Sequence, residues 1–101
     1  MKQGNDLADR PRIIRMAIKR AGTDIILMYR LTKECAADGL SPYVYSVTVT
    51  KVDCGGSCRE MRRVNDISRC LAEANRIFTL ISRGCVTPCC AAEVIADLLS
   101  I

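Results

Sequence analysis

Cysteine is the residue type in this 101-residue chain whose number and spacing could do chemistry, because the chain has seven cysteines and no histidine. Four of them form two pairs of equal spacing, in which Cys54 precedes Cys58 and Cys85 precedes Cys89 in the pattern C-x-x-x-C. Four thiolates from two such loops can bind zinc tetrahedrally, with each sulfur about 2.3 Å from the metal. Cysteine is also among the residue types most often buried for packing alone. Two interpretations follow: a zinc-binding module with four cysteine ligands, or no cofactor at all.

The elements between the two pairs decide whether the four thiols can meet. A strand of about seven residues after residues 54–58 would span roughly 23 Å. A helix of about fifteen residues, packed back against that strand, would return about 22 Å. Because the two lengths match, we expect both cysteine pairs at the same end of the domain.

Other catalytic groups are nearly missing from the sequence. Without histidine, neither a Ser-His nor a Cys-His nucleophile system can form. Neither of the glycine-rich phosphate-binding patterns occurs. The start of a helix at Cys89 and Cys90 would favour thiolates, but the C-x-x-C motif of redox proteins is absent. The sequence therefore predicts no catalytic residues, no cofactor-binding residues and no enzyme.

Composition and charge limit the class of protein. Half of the residues are apolar and 4% are aromatic, which is typical of one small globular domain. No apolar run reaches the roughly 20 residues of a membrane span, and the first residues lack the apolar region of a secretion signal. A cytoplasmic location with free thiols is expected.

A basic segment near the N-terminus is predicted to be helical. Residues 10–21 show apolar residues at helical spacing, with Asp9 as a cap before them and Gly22 after them. Residues 1–22 carry six basic and two acidic groups, a net 6 − 2 = +4 that equals the net charge of the whole chain. A basic helix can bind nucleic acid, or can pack on its own domain or on a protein partner. The candidate nucleic-acid contacts are Arg12, Arg15, Lys19 and Arg20.

The remainder predicts three strands followed by two helices. Residues 24–34, 43–52 and 59–65 are rich in β-formers, and residues 43–52 alternate strictly, with Ser46, Thr48 and Thr50 expected to face solvent. Helices are expected over residues 68–83 and from Thr87-Pro88 to the end. The expected fold is α+β: a three-stranded antiparallel β-meander packed by two C-terminal helices, with an N-terminal amphipathic helix. Residues 1–9 are expected to be a flexible N-terminus, and residues 10–101 a single domain.

Four short motifs resemble a small uncharacterised protein family from Firmicutes, mainly clostridia, over roughly residues 24–101. The resemblance implies a cytoplasmic bacterial origin and no assigned activity, and the cysteine pairs and the basic segment are not features of that family. The function expected is that of a small non-enzymatic bacterial accessory or regulatory protein acting through protein–protein contacts, with self-association also possible. The alternatives are a nucleic-acid-binding protein and the four-cysteine zinc module. The motifs that carry the resemblance are Tyr29-Arg30-Leu31, Tyr43 to Val49, Val64-Asn65-Asp66-Ile67-Ser68 and Val86-Thr87-Pro88.

Overall fold

A four-stranded antiparallel sheet followed by two helices makes up the domain. The computed structural model of the chain describes residues 11–36, 43–53, 55 and 59–100. Neighbouring strands in the sheet are also consecutive in the chain, in the order β1-β2-β3-β4. The elements are β1 (Arg12–Arg20), β2 (Ile25–Cys35), β3 (Tyr43–Asp53), β4 (Arg59–Ser68), α1 (Leu71–Arg83) and α2 (Pro88–Leu99). The two C-terminal helices are confirmed, but the prediction of a three-stranded sheet is wrong.

The predicted N-terminal helix over residues 10–21 is also wrong, because the structure has the edge strand β1 in this place. A β-bulge between Ile13 and Arg15 adds one residue to β1 relative to β2. The extra residue shifts the alternation of side chains, so the apolar residues fall at intervals that imitate a helix. Gly22, at φ 152°, lies in the hairpin turn that leads into β2, and is not a helix cap. Residues 1–9 lie outside the described residues.

The hydrophobic core lies between one face of the sheet and the two helices. Alternate residues of β2 and β3 point into it, and α1 and α2 contribute their apolar stripes. The ends of these stripes are fixed by helix signals, since Thr87 and Pro88 begin α2 as N-cap and first residue. The core consists of Leu27, Tyr29, Leu31, Tyr45, Val47, Val49, Ile67, Ala74, Ile77, Phe78, Ile81, Ala91 and Ile95.

Two side chains tie the sheet to the helical layer. The guanidinium of Arg15 in β1 lies 4.7 Å from the centre of the Phe78 ring and donates a hydrogen bond of 3.2 Å to Thr79 Oγ1. The hydroxyl of Tyr29 in β2 donates a hydrogen bond of 2.8 Å to the carbonyl of Val86, between α1 and α2. Strand β1 is therefore part of the domain and not a peripheral arm.

The hydroxyl side chains of β3 are buried, which contradicts the expectation that they face solvent. Ser46 and Thr50 have no exposed surface, and Thr48 is 6% exposed. The strand register places Thr48 between Arg30 and Arg63, and Thr50 between Met28 and Met61. Long side chains on the neighbouring strands therefore cover the short ones of β3.

Candidate binding face

The sheet face opposite the helices, called here the open face, carries large apolar side chains in contact with solvent. Ile13, Met16 and Ile18 of β1 are 53, 56 and 63% exposed, and Met61 of β4 is 61% exposed. Their strand partners Thr32, Arg30, Met28 and Thr50 alternate along the strands with core residues, which places all of them on this face. Exposed apolar residues grouped in this way are typical of an interaction site.

The strand register arranges the open face in rows that cross the sheet from β1 to β4. One row consists of Met16, Arg30, Thr48 and Arg63. The next row, two residues further along each strand, consists of Ile18, Met28, Thr50 and Met61. The open face thus has a row with two arginines beside a row that is almost entirely apolar.

A groove lies on the open face. Its lining combines the short side chains Thr32 and Thr48 of the central strands with longer side chains of β1, β2 and β4. It encloses a cavity of about 260 Å³. The residues that line this cavity are Pro11, Ile13, Arg30, Thr32, Thr48, Met61 and Arg63.

Positive charge dominates the open face. Among the described strand residues, the register places four arginines and a single acid, Glu34, on this side, a net 4 − 1 = +3. Glu34 already has partners within the chain: its Oε1 accepts hydrogen bonds from the guanidinium of Arg63 at 2.7 Å and from the hydroxyl of Ser46 at 2.8 Å. The four arginines are Arg20, Arg30, Arg59 and Arg63.

Two buried polar atoms on the open face have no hydrogen-bond partner among the described residues. They are Nε of Arg30 and Oγ1 of Thr50, which lie in adjacent rows on the two central strands. A buried donor or acceptor without a partner is destabilising, and most such groups in folded proteins are paired. Both atoms are covered by the chain itself, so neither is a contact point on the surface.

The predicted zinc ligands are only partly described. Cys54 and Cys58 lie outside the described residues, whereas Cys85 and Cys89 are exposed free thiols. Cys89 shares a shallow surface cavity with Glu60 and Met61, so the start of α2 lies beside the start of β4. Within the ranges that the structure describes, no group of three or more His, Cys, Asp or Glu residues is arranged to hold a metal. The zinc site stays a prediction.

Cys89 has a distinct environment at the first turn of α2. Its Sγ lies 3.4 Å from Oγ1 of Thr87 and 3.9 Å from Sγ of Cys90. Hydrogen bonds from the Thr87 hydroxyl first, and from the Cys90 thiol second, lower the pKa of the Cys89 thiol. The first turn of a helix also favours a thiolate.

The four basic residues predicted to contact nucleic acid are divided between the two sides of the sheet. Arg12, Arg15 and Lys19 are on the helix side of β1, while Arg20 is on the open face. Arg20 Nη1 donates a 3.2 Å bond to the carbonyl of Thr23 in the hairpin turn. Contact between Arg12, Arg15, Lys19 or Arg20 and nucleic acid stays a prediction, without the basic helix that motivated it.

The sheet and both helices are matched by a model of a known protein family. A model described as a family of unknown function, DUF6514, matches residues 13–100. The chain belongs to the DUF6514 family. No curated protein and no solved structure matches the chain. The resemblance seen in the motifs to an uncharacterised family is thus confirmed at the level of a family of unknown function.

The DUF6514 match includes most of β1, whereas the motif resemblance began only at residue 24. The whole row structure of the open face therefore lies within the family region. Neither helix in the described part of the chain has the length and apolar character needed to cross a membrane.

The sequence reasoning missed the open face of this DUF6514 protein as a site. Its residues were present as a weak signal, since Met28 and Arg30 in β2, and Met61 and Arg63 in β4, are separated by two positions and so share one side of a strand. These residues form one surface only when the four strands are aligned, and the sequence pattern did not identify β1 as a strand.

Proposed function

We propose that this DUF6514 chain is a small non-enzymatic accessory or regulatory protein of a bacterium that acts through protein–protein contacts, and that the open face makes these contacts. The observation that carries the proposal is the group of four large apolar side chains, each more than half exposed, on one side of the sheet. Three of them lie along β1 and the fourth on β4, with Met28 between Ile18 and Met61 in the same row. Isolated exposed apolar residues are common on monomeric proteins, but several on one sheet face mark an interaction surface.

The composition of the open face favours a protein partner over nucleic acid. Sheets that bind single-stranded nucleic acid stack bases on aromatic side chains, and rows of basic groups contact the phosphates. Tyr29 and Tyr45 are buried on the helix side, and the two rows of the open face contain no aromatic residue. Protein interfaces combine apolar side chains with methionine and arginine, which are the residue types found here.

The cellular setting is part of the same proposal. A bacterial, cytoplasmic protein fits the motif resemblance, and it also fits the free thiols of the described cysteines Cys70, Cys85, Cys89 and Cys90. A non-enzymatic role fits a sequence without histidine.

Site-specific photo-crosslinking in bacterial cells tests the proposed contacts. A photoreactive phenylalanine replaces Met16 or Met61 on the open face and, as a control, Glu93, which is exposed on α2. We expect a discrete protein adduct from the two open-face positions and none from position 93. The adduct is identified by mass spectrometry, and the partner is then purified and titrated against the wild-type chain and against Met16→Glu. We expect the substitution to weaken binding by about tenfold or more, because it replaces an exposed apolar side chain of the open face with a carboxylate beside Arg30.

Two results would contradict the proposal. One is adduct formation that does not differ between positions 16, 61 and 93. The other is a purified partner whose affinity is unchanged by Met16→Glu while the variant keeps the circular dichroism spectrum of the wild type.

A further inference from the structure

We infer that the partner places an α-helix on the open face, with an apolar side chain on the row of Ile18, Met28 and Met61 and a carboxylate on Arg30 one helical turn away. This inference rests on the proposed function and names the chemistry of the partner. The dimensions of the open face, the row spacing and the charge support it separately.

The dimensions of the open face fit a helix. The backbones of β1 and β4 are three strand spacings apart, which is about 14 Å, and a helix with its side chains is about 10–12 Å wide. Strand β1 has 9 residues and strand β3 has 11, so the open face is about 30 Å long in the strand direction, the length of a helix of roughly 20 residues. Helices are also the elements that most often cover a sheet face in two- and three-layer domains.

The row spacing fits the repeat of a helix that lies along the strands. Adjacent rows are two residues apart on each strand, about 6.6 Å. Residues i and i+4 of a helix lie on one side and are about 6 Å apart along the axis. A helix on the open face can therefore bring an apolar residue to the row of Met28 and Met61 and a residue four positions away to the row of Arg30.

Charge and hydrogen bonding select the chemistry of that second residue. Arg30 is a partly buried arginine on the central strand β2. Among the described strand residues the open face carries a net +3, and its one acid, Glu34, is held by Arg63 and Ser46. A carboxylate is the acceptor that an arginine binds best, with up to two parallel hydrogen bonds. An aspartate or glutamate in the apolar stripe of the partner helix satisfies this requirement.

A second copy of the chain fits the open face less well. Two open faces in contact would oppose net charges of +3 with +3. An added strand is also a poorer occupant, because strands pair at the edges of a sheet and would leave the face uncovered.

Synthetic helical peptides test the inference directly. The probe is a labelled peptide of about 18 residues, long enough to span most of the open face, with leucines at helical spacing and one glutamate four residues after a central leucine of that stripe. A second peptide has glutamine in place of the glutamate, and a third has the same composition but carries the glutamate on the opposite side of the helix. A fourth has proline at the centre, which breaks the helix. Dissociation constants are measured by fluorescence anisotropy.

The protein variants isolate the role of Arg30. We compare the wild type with Arg30→Gln and, as a charge-matched control, with Arg83→Gln, which removes an exposed arginine from the last turn of α1. Because Arg30 is partly buried, a second pair of variants changes only an exposed position of the groove: Met61→Glu and its neutral control Met61→Gln. Thermal unfolding by circular dichroism identifies any variant that does not fold.

We expect the wild type to bind the glutamate probe about tenfold more tightly than the glutamine peptide or the peptide with the moved glutamate. Arg30→Gln removes this discrimination and Arg83→Gln keeps it. Met61→Glu weakens binding of the glutamate probe by more than Met61→Gln does. The proline peptide binds poorly to every variant.

The inference is wrong if the peptides with the glutamate in place and moved bind equally, if discrimination persists in Arg30→Gln, or if the proline peptide binds as well as the probe. It is also wrong if none of the helical peptides binds, or if sedimentation shows a wild-type dimer that Met61→Glu dissociates. If no peptide binds but photo-crosslinks to a partner protein still form from positions 16 and 61, the proposed function stands and only the helix inference fails. Loss of position-dependent crosslinks would remove both proposals.

Discussion

At the scale of single residues, the thiol of Cys89 contacts two side chains, Thr87 and Cys90, that lower its pKa. The Thr87 hydroxyl lies 3.4 Å from its sulfur and makes the largest contribution to lowering its pKa. Thr87 is also the N-cap of α2, yet its side chain makes no capping hydrogen bond to the helix. Removal of this hydroxyl therefore changes the thiol without removing a capping interaction.

Thr87→Val is expected to slow the alkylation of Cys89 by iodoacetamide near neutral pH. The thiolate is the reactive form, and without the hydroxyl hydrogen bond the pKa of Cys89 rises, so a smaller fraction is ionised. At high pH, where the thiol is ionised in both proteins, the two rates should converge. The measurement is the rate of modification at Cys89 by mass spectrometry as a function of pH.

Cys90→Ser provides the comparison for Thr87→Val. The Cys90 thiol is the second contributor to the lowered pKa of Cys89 and lies at 3.9 Å, so its replacement should have a smaller effect. Equal rates for wild type and Thr87→Val across the whole pH range would show that the hydroxyl does not act on this thiol.

At the scale of the elements, β1 decides the architecture. As a helix, residues 13–21 would place Ala17 and Ile18 on one apolar side. As a strand, β1 places them on opposite sides: Ala17 packs against the core, and Ile18 is 63% exposed on the open face. The two arrangements therefore predict different responses to the same substitution.

Ala17→Asp is expected to lower the free energy of unfolding by about 2–3 kcal/mol, because it places a carboxylate against the hydrophobic core. Ile18→Asp is expected to change it by less than about 1 kcal/mol, since the side chain remains in solvent on a positively charged face. Urea denaturation followed by circular dichroism measures both values. Similar losses for the two variants would contradict the strand alternation in β1.

The sequence predicted the two C-terminal helices but not β1, for a physical reason. The helices have end signals that act locally, such as Thr87-Pro88 before α2 and Gly84 after α1, where the Gly84 N–H bonds to the carbonyl of Leu80 at 3.0 Å. In β1 the bulge after Ile13 breaks the two-residue period that identifies a strand. Pairing with β2 determines this bulge, and pairing is not a local property of the sequence.

At the scale of the whole molecule, the candidate site depends on how the strands align. An α+β domain with helices at its C-terminal end could be predicted from local patterns. The rows of the open face could not, because each row combines residues from four strands, as in Met16, Arg30, Thr48 and Arg63. The burial of Thr48 and Thr50 follows from the same alignment, since their cover comes from β2 and β4 and not from their own strand.

At this scale too, the burial of Tyr29 between the sheet and the helices predicts how the stability of the whole domain depends on pH. Burial first, and the neighbouring Cys85 thiol second, raise the pKa of Tyr29 to about 12 from 10.0. A phenol with a raised pKa in the folded state stabilises the fold below about pH 10, and this contribution is lost as the pH rises through about 12. We therefore expect the free energy of unfolding of the wild type to fall over this window, by up to about 2 kcal/mol from this group.

Tyr29→Phe loses the hydrogen bond to the Val86 carbonyl, about 1 kcal/mol below pH 10, but its stability should fall less steeply between pH 10 and 12. Tyr43→Phe, at a ring that is 40% exposed, is the control and should keep the wild-type slope. The measurement is urea denaturation of the three proteins at intervals from pH 8 to 12, and equal slopes for wild type and Tyr29→Phe would show that folding does not raise the pKa of this tyrosine.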